Sequence, residues 1–348
     1  MNLLRSSLPL LLATQVGAPA IGQNSEPPHA EITNGVLRVG LYLPDGKKGF
    51  YRGTRFDWSG VIHRLEYKGH NYYGPWFTKT DPKVLDFIFK GDDIIAGPCS
   101  AITGPVEEFS SGEKALGFDE AKPGGTFIKI GVGVLRRPDK QAYSPYRLYE
   151  IVNGGKWGIR TQSDSVEFTQ ELSDPASGYG YRYTKTVRLV NGKPEMTLEH
   201  AMENTGKRTI ETSVYDHNFL VLDKQPVGPD FVVTVPFTIH AQHVEGAELA
   251  RIAGHQFTYR RQLNGRETVS AQFSGFGKTP ADYAITIENQ KAGAGMKIIG
   301  DRPLSSENLW SIRSILAMEP FIEMAIQPGK TFTWKYDYTY YTLNQASK

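Results

Sequence analysis

The chain has a single cysteine, Cys99, among 348 residues, so it can form neither an internal disulfide nor a zinc cluster of thiolates. Set in Gly97-Pro98-Cys99-Ser100 with no neighbouring base, that thiol is expected to be buried and inert. Charge of one sign is also lacking. Lys and Arg number 39 against 37 Asp and Glu, a formal +2 with no long run of either sign. Such a surface carries no electrostatic footprint for nucleic acid or an anionic membrane, and neither is expected as a partner. No apolar run approaches the roughly 20 residues of a spanning helix. No stretch sustains the 3.6-residue period of an amphipathic helix, and nothing repeats at the about 40–50 residues of a propeller blade. Gly131-Val132-Gly133 lacks the third glycine and the following helix of a dinucleotide fingerprint; it reads as strand glycines, and no cofactor is expected. His240 and His243 have no third ligand near them in sequence and read as solvent-facing strand residues, so no metal is expected either.

Glycine (36), proline (21), tyrosine (18) and phenylalanine (17) are plentiful, as suits many short strands joined by tight turns. From Ile32 onward the dominant period is two. Asn-Gly pairs at Asn34-Gly35, Asn153-Gly154, Asn191-Gly192 and Asn264-Gly265 supply the positive φ values of hairpin turns. In the clearest hairpin Tyr181, Tyr183, Lys185, Val187 and Leu189 share one face, and after Asn191-Gly192 so do Met196, Leu198, His200 and Met202. Near the C-terminus Phe332, Trp334, Tyr336, Tyr338 and Tyr340 alternate with polar residues, a strand whose aromatic face is expected in the core. The expected fold class is all-β, a large antiparallel two-sheet sandwich, with loops at 173–180, 221–230 and 302–306. Arg5, the apolar stretch 8–13 and Ala18-Pro19-Ala20 resemble a signal peptide with its cleavage site. Residues 1–28 are therefore expected to be a signal peptide and polar leader on an exported, periplasmic or secreted protein. Residues 29–345 are expected to form one domain, as a monomer or weak dimer.

Six segments, in order along the chain, resemble a known family. Residues 178–192 (GYGYRYTKTVRLVNG) and 196–204 (MTLEHAMEN) lead into 214–220 (VYDHNFL). Near the end, 295–303 (GMKIIGDRP) and 316–320 (LAMEP) precede 327–334 (QPGKTFTW). This series is similar to the aldose 1-epimerases, the galactose mutarotase-like superfamily, with a looser match over residues 51–73. The resemblance implies a supersandwich fold and catalysis by one histidine and one glutamate without a cofactor. It makes His217 the acid and Glu319 the base. Interconverting sugar anomers needs a base for the C1 hydroxyl proton and an acid for the ring oxygen, and imidazole and a partly buried carboxyl suit both roles near neutral pH. Glu319 also lies in an apolar run, 315–322, where an unpartnered carboxylate is costly.

The resemblance further implies an early arginine on the sugar oxygens; Arg55 is chosen, with Arg52 beside it, and Asn218 next to the catalytic histidine. Tyr181 and Trp76, with Trp157, are candidate sugar-contacting aromatics. Residues 117–133 fall where the family carries an H-G-G or H-G-F motif, but only Gly117-Phe118 is kept. Glu120 and Lys122, beside Asp119, stand in place of the missing histidine and are expected to bind substrate. The expected partner is a mono- or oligosaccharide. Two other readings use the same fold: a glycoside-cleaving enzyme or lyase employing Glu120 or Glu323, and a non-catalytic carbohydrate-binding protein. A regular strand puts Glu319, Phe321 and Glu323 on one face.

Overall fold

A computed structural model describes residues 26–343, apart from 111 and 113. Residues 1–25, which hold most of the expected leader, lie outside the described ones. The period-two pattern becomes strand along the chain. Among the described residues the helical segments are two short 3-10 turns, Leu222–Lys224 and Pro280–Asp282.

Two antiparallel sheets dominate. The larger has ten strands, in spatial order Lys156–Thr161, Ser165–Asp174, Tyr179–Leu189, Glu195–Asn204, Thr331–Thr342, Ala294–Gly300, Ala284–Asn289, Phe231–Thr234, Gln256–Tyr259 and Ala250–Ala253. The expected hairpin forms its centre, with Val187 opposite Leu198 and Leu198 opposite Tyr336. The smaller sheet has six strands in the order His240–Glu245, Thr268–Ser274, Ser306–Ile312, Ile315–Ile326, Ile210–Leu220 and Gly104–Ser110. One core runs between them: Leu198, Met196, Tyr336, Tyr338 and Tyr340 pack with Val214, Leu309, Met318 and Ile322. Fully burying side chains of this size contributes roughly 1.5–3 kcal/mol each before the entropy of ordering them is set against it.

Three smaller sheets, of four, three and three strands, join the two expected ones. Segments between Tyr51 and Tyr149, with Phe56, Trp58, Trp76, Phe127 and Tyr149, cover the outer face of the six-stranded sheet and form a second apolar cluster with Phe219 and Ile315. That sheet is therefore buried on both faces over part of its length. Gly131 is not a strand glycine: it has φ 78° in the turn joining Thr126–Lys129 to Gly133–Arg136, and no helix follows. Gly104 opens its edge strand at φ 78°, where a Cβ would stand 2.3 Å from the Ile62 carbonyl oxygen, so only glycine fits.

A charged network lies inside the sandwich. Glu107 accepts hydrogen bonds from Lys185 Nζ and, at 2.7 Å, from His200 Nε2, with all three side chains buried. The Tyr338 hydroxyl lies within hydrogen-bond distance of Asp216 and, at 2.8 Å, of Asn218 Oδ1, sharing its one hydrogen between them, while Tyr183 donates to Asp57 at 3.1 Å. Cys99 is buried, and burial raises its thiol pKa, in keeping with an inert thiol.

Candidate active site

Alternation along the Ile210–Leu220 strand assigns its residues to two faces. Asp216 and Asn218 point between the sheets, and Tyr215, His217 and Phe219 point outward. On the neighbouring Ile315–Ile326 strand, Pro320, Ile322 and Met324 are buried in turn, and Glu319, Phe321 and Glu323 face outward. The register on either side, Tyr215 with Phe321 and Asn218 with Met318, sets His217 directly opposite Glu319. Their Nε2 and Oε1 atoms are 3.2 Å apart. The row continues across the sheet, where Asn308 is opposite Glu319, Gln272 opposite Asn308 and Gln242 opposite Gln272.

His217, Glu319, Asn308 and Gln272 floor a cavity of about 400 Å³. Arg55, Asp86, Ser100, Tyr146 and His243 contribute its polar lining, and Trp76, Phe87, Phe219 and Trp310 its aromatic wall. Arg55 is delivered by a segment folded on itself, in which Trp58 Nε1 donates to the Gly53 carbonyl and Tyr51 OH accepts from the Phe56 amide. Its guanidinium lies over the rings of Phe56 and Tyr146 at 4.4 and 4.8 Å. Nε donates to Glu108 at 2.6 Å and Nη2 to Tyr215 at 3.0 Å. Glu108 accepts from Lys129 at 3.0 Å and from Tyr215 as well. Burial pulls the Glu108 carboxyl up, but Lys129 and Arg55 outweigh it and hold the group at about 2. Arg55 is thus a fixed cation aimed at the cavity.

The catalytic candidates are tuned by the same surroundings. Burial pushes Glu319 up to about 7, against the pull of Arg55 and helped by Glu108. Burial, then Arg55, drives His217 well below its usual 6.5. An imidazolium needs two acceptors, and the buried Nδ1 of His217 has no partner among the described residues. Phe219 stacks on the ring at 3.6 Å. Below neutrality the transferable proton of the pair therefore sits on Glu319 rather than on His217.

Of the residues predicted to touch sugar, Arg55 and Trp76 line this cavity with His217 and Glu319. Trp76 is oriented by its Nε1 donating to the Ile102 carbonyl at 3.0 Å. Four do not line it. Asn218 faces the other way, its amide donating to the Asp216 and Met318 carbonyls, because neighbours in a strand point to opposite faces. Tyr181 is a core residue whose hydroxyl donates to Gln170 at 2.7 Å. Glu120 pairs with Arg208 at 2.9 Å in a separate surface hollow, and Lys122 is exposed outside the cavity. The acid that does enter, Asp86, comes from the edge of a three-stranded sheet and accepts from Ser100. Its carboxyl is raised by burial, an effect Ser100 opposes. Trp157 belongs to an outer strand of the ten-stranded sheet, away from the cavity lining.

His243, expected as a solvent-facing strand residue, is exposed but lines the cavity from a β-bulge, where its φ of 50° re-aims the side chain. Among the described residues no cluster of three metal-ligating side chains includes it or His240. Glu323 lies four strand residues beyond Glu319, about 13 Å at Cα by strand rise. Glu323 is also absent from the lining of the cavity that holds Glu319. Asn308 was legible in principle, because the two-residue Arg313-Ser314 turn fixes the hairpin register that brings it opposite Glu319.

No family model and no curated protein matches the chain. Solved structures do match. The Slr1438 protein of Synechocystis sp. PCC 6803 aligns over 91% of this chain and 97% of its own at 12% identity, with a TM-score of 0.52. A candidate aldose 1-epimerase of Escherichia coli K12 aligns over 90% and 99% at 12% identity, TM-score 0.52. A galactose mutarotase-like protein of Clostridium acetobutylicum aligns over 91% and 99% at 11% identity, TM-score 0.50. At such identity it is architecture that is shared, and the chain has the fold of the aldose 1-epimerase and galactose mutarotase-like proteins.

Proposed function

We propose that the protein is an aldose 1-epimerase-like isomerase that interconverts the anomers of a sugar by acid–base catalysis at Glu319 and His217. The observation that carries this reading is the cross-strand pair itself: one carboxyl and one imidazole, 3.2 Å apart, at the floor of a cavity walled by tryptophans and a fixed arginine. The two oxygens exchanged in mutarotation are bonded to the same carbon, so an acid and a base standing this close can reach both. In the opening step His217 Nε2 takes the proton of the C1 hydroxyl. The C1–O bond to the ring breaks, its electron pair goes to the ring oxygen, and Glu319 supplies that oxygen with a proton. After rotation about C1–C2 the aldehyde recloses on its other face with both transfers reversed. Burial rests the proton on Glu319, so in the opening step the roles are the converse of those the resemblance implies; on closing they exchange. Arg55 and Asp86 would hold sugar oxygens, and Trp76 and Trp310 the apolar ring face. The leader-like residues 1–28 support a place outside the cytoplasm.

Polarimetry or anomeric-proton NMR of freshly dissolved α-D-glucose and α-D-galactose tests the proposal. Accelerated equilibration should fall by about 10²-fold or more in Glu319→Gln and in His217→Asn, with both variants folded. Full activity in both would sink it.

A further inference from the structure

The catalytic cavity does not close at the edge of one sugar ring. A second hollow, of about 870 Å³, adjoins it, and Gln272 and Asn308 line both. It runs in the direction of the Glu319 strand. Glu319, Phe321, Glu323 and Ala325 are outward-facing in turn, and strand rise spaces them by about 7 Å.

Its chemistry is that of a sugar subsite. Phe321 is half-buried and held flat against Tyr215 at 4.3 Å, a rigid ring beside the catalytic pair. Ser213 flanks it, Ser306 accepts from Gln272 at 3.2 Å, and Glu323 is exposed at the far side. Apolar face and hydroxyl partners thus alternate, as a pyranose demands. Among the described residues no Lys or Arg lines this hollow, while Glu323 does, which selects against phosphorylated or acidic sugars.

We propose that the sugar bound at His217 and Glu319 is the reducing-end unit of a neutral oligosaccharide whose next units lie over Phe321 and towards Glu323. The inference rests on the epimerase reading, since only a reducing end offers a free C1 hydroxyl. Asn308, opposite Glu319 in register, lines both hollows and makes them continuous.

The experiment compares glucose with maltose, cellobiose and maltotriose by anomeric-proton exchange NMR, using the wild-type chain, Ser213→Phe to fill the hollow and Glu323→Ala to strip its polar side. For at least one oligosaccharide the wild-type KM should lie about fivefold or more below that for glucose. In both variants that KM should rise about fivefold, while kcat/KM for glucose stays within about twofold and thermal midpoints confirm folding. Turnover of glucose with no KM advantage for any oligosaccharide would overturn the inference and leave the epimerase reading standing. So would folded variants that treat oligosaccharides as the wild type does. Turnover of no reducing sugar would overturn both.

Discussion

At the scale of the residue, the proposed reaction turns on where one proton sits. Glu319 is pushed up to about 7 and His217 well below 6.5, so one proton is shared over a broad range below neutrality. As pH rises through about 7 Glu319 ionises while His217 stays neutral, and no acid remains for the ring oxygen. Activity as kcat/KM should therefore be flat from mildly acidic pH to about 6.5 and fall with unit slope above about 7. A profile that keeps rising beyond pH 8 would mean that Glu319 acts as a simple carboxylate base. His217 and Glu319 were legible as candidates because short motifs carry them, Arg55 through a looser match and Trp76 through its ring alone, and the four line one cavity. Asn218 and Tyr181 were misassigned because a motif does not say which face of a strand each member occupies. Asp86 was missed because its place depends on a small sheet with strands of two to four residues, too short to alternate visibly.

At the scale of the element, the Gly104–Ser110 strand is pinned from both sides. Its Glu107 is fully buried, where Lys185 and His200 outweigh the upward pull of burial and hold the carboxyl low. Glu107→Gln should cost about 3–5 kcal/mol in urea unfolding, chiefly by leaving Lys185 buried without its counter-charge. The double variant Glu107→Leu, Lys185→Met should lose less than Glu107→Gln alone at mildly acidic pH, because the buried ammonium is removed with its partner. A double variant less stable than the single one would show the pair to be a net source of stability. The long strands were readable, since ten or more alternating residues identify the hairpin over Tyr179–Leu189 and Glu195–Asn204. Their partners across the sandwich were not, because sheet order is a property of the whole chain.

At the scale of the whole molecule, buried acids set opposing slopes of stability with pH. Glu108, held at about 2, contributes stability that is present above its unfolded value of 4.5 and lost as pH falls through 2. Glu307 is fully buried with no partner among the described residues, and burial raises it to about 8. Its folded form binds the proton more tightly, so its contribution is full below 4.5 and lost as pH rises through 8. Glu319, at about 7, acts in the same sense. The urea midpoint should peak near pH 5 and decline towards pH 9, and Glu307→Leu should flatten that alkaline decline. A midpoint that climbs from pH 5 to 9 would contradict the assignment of neutral interior carboxyls.

Glu107 and Glu108 are consecutive, yet one completes the interior network and the other anchors Arg55 at the cavity. A single insertion or deletion between Gly104 and Glu107 would exchange their faces and disturb the core and the cavity in one event. Substitutions outside Gly104, Glu107 and Glu108 leave that parity intact, whereas a change of length breaks it. Descendants that change their sugar should do so by lengthening or shortening the excursion around Asp86 and Phe87, where added residues disturb no such parity.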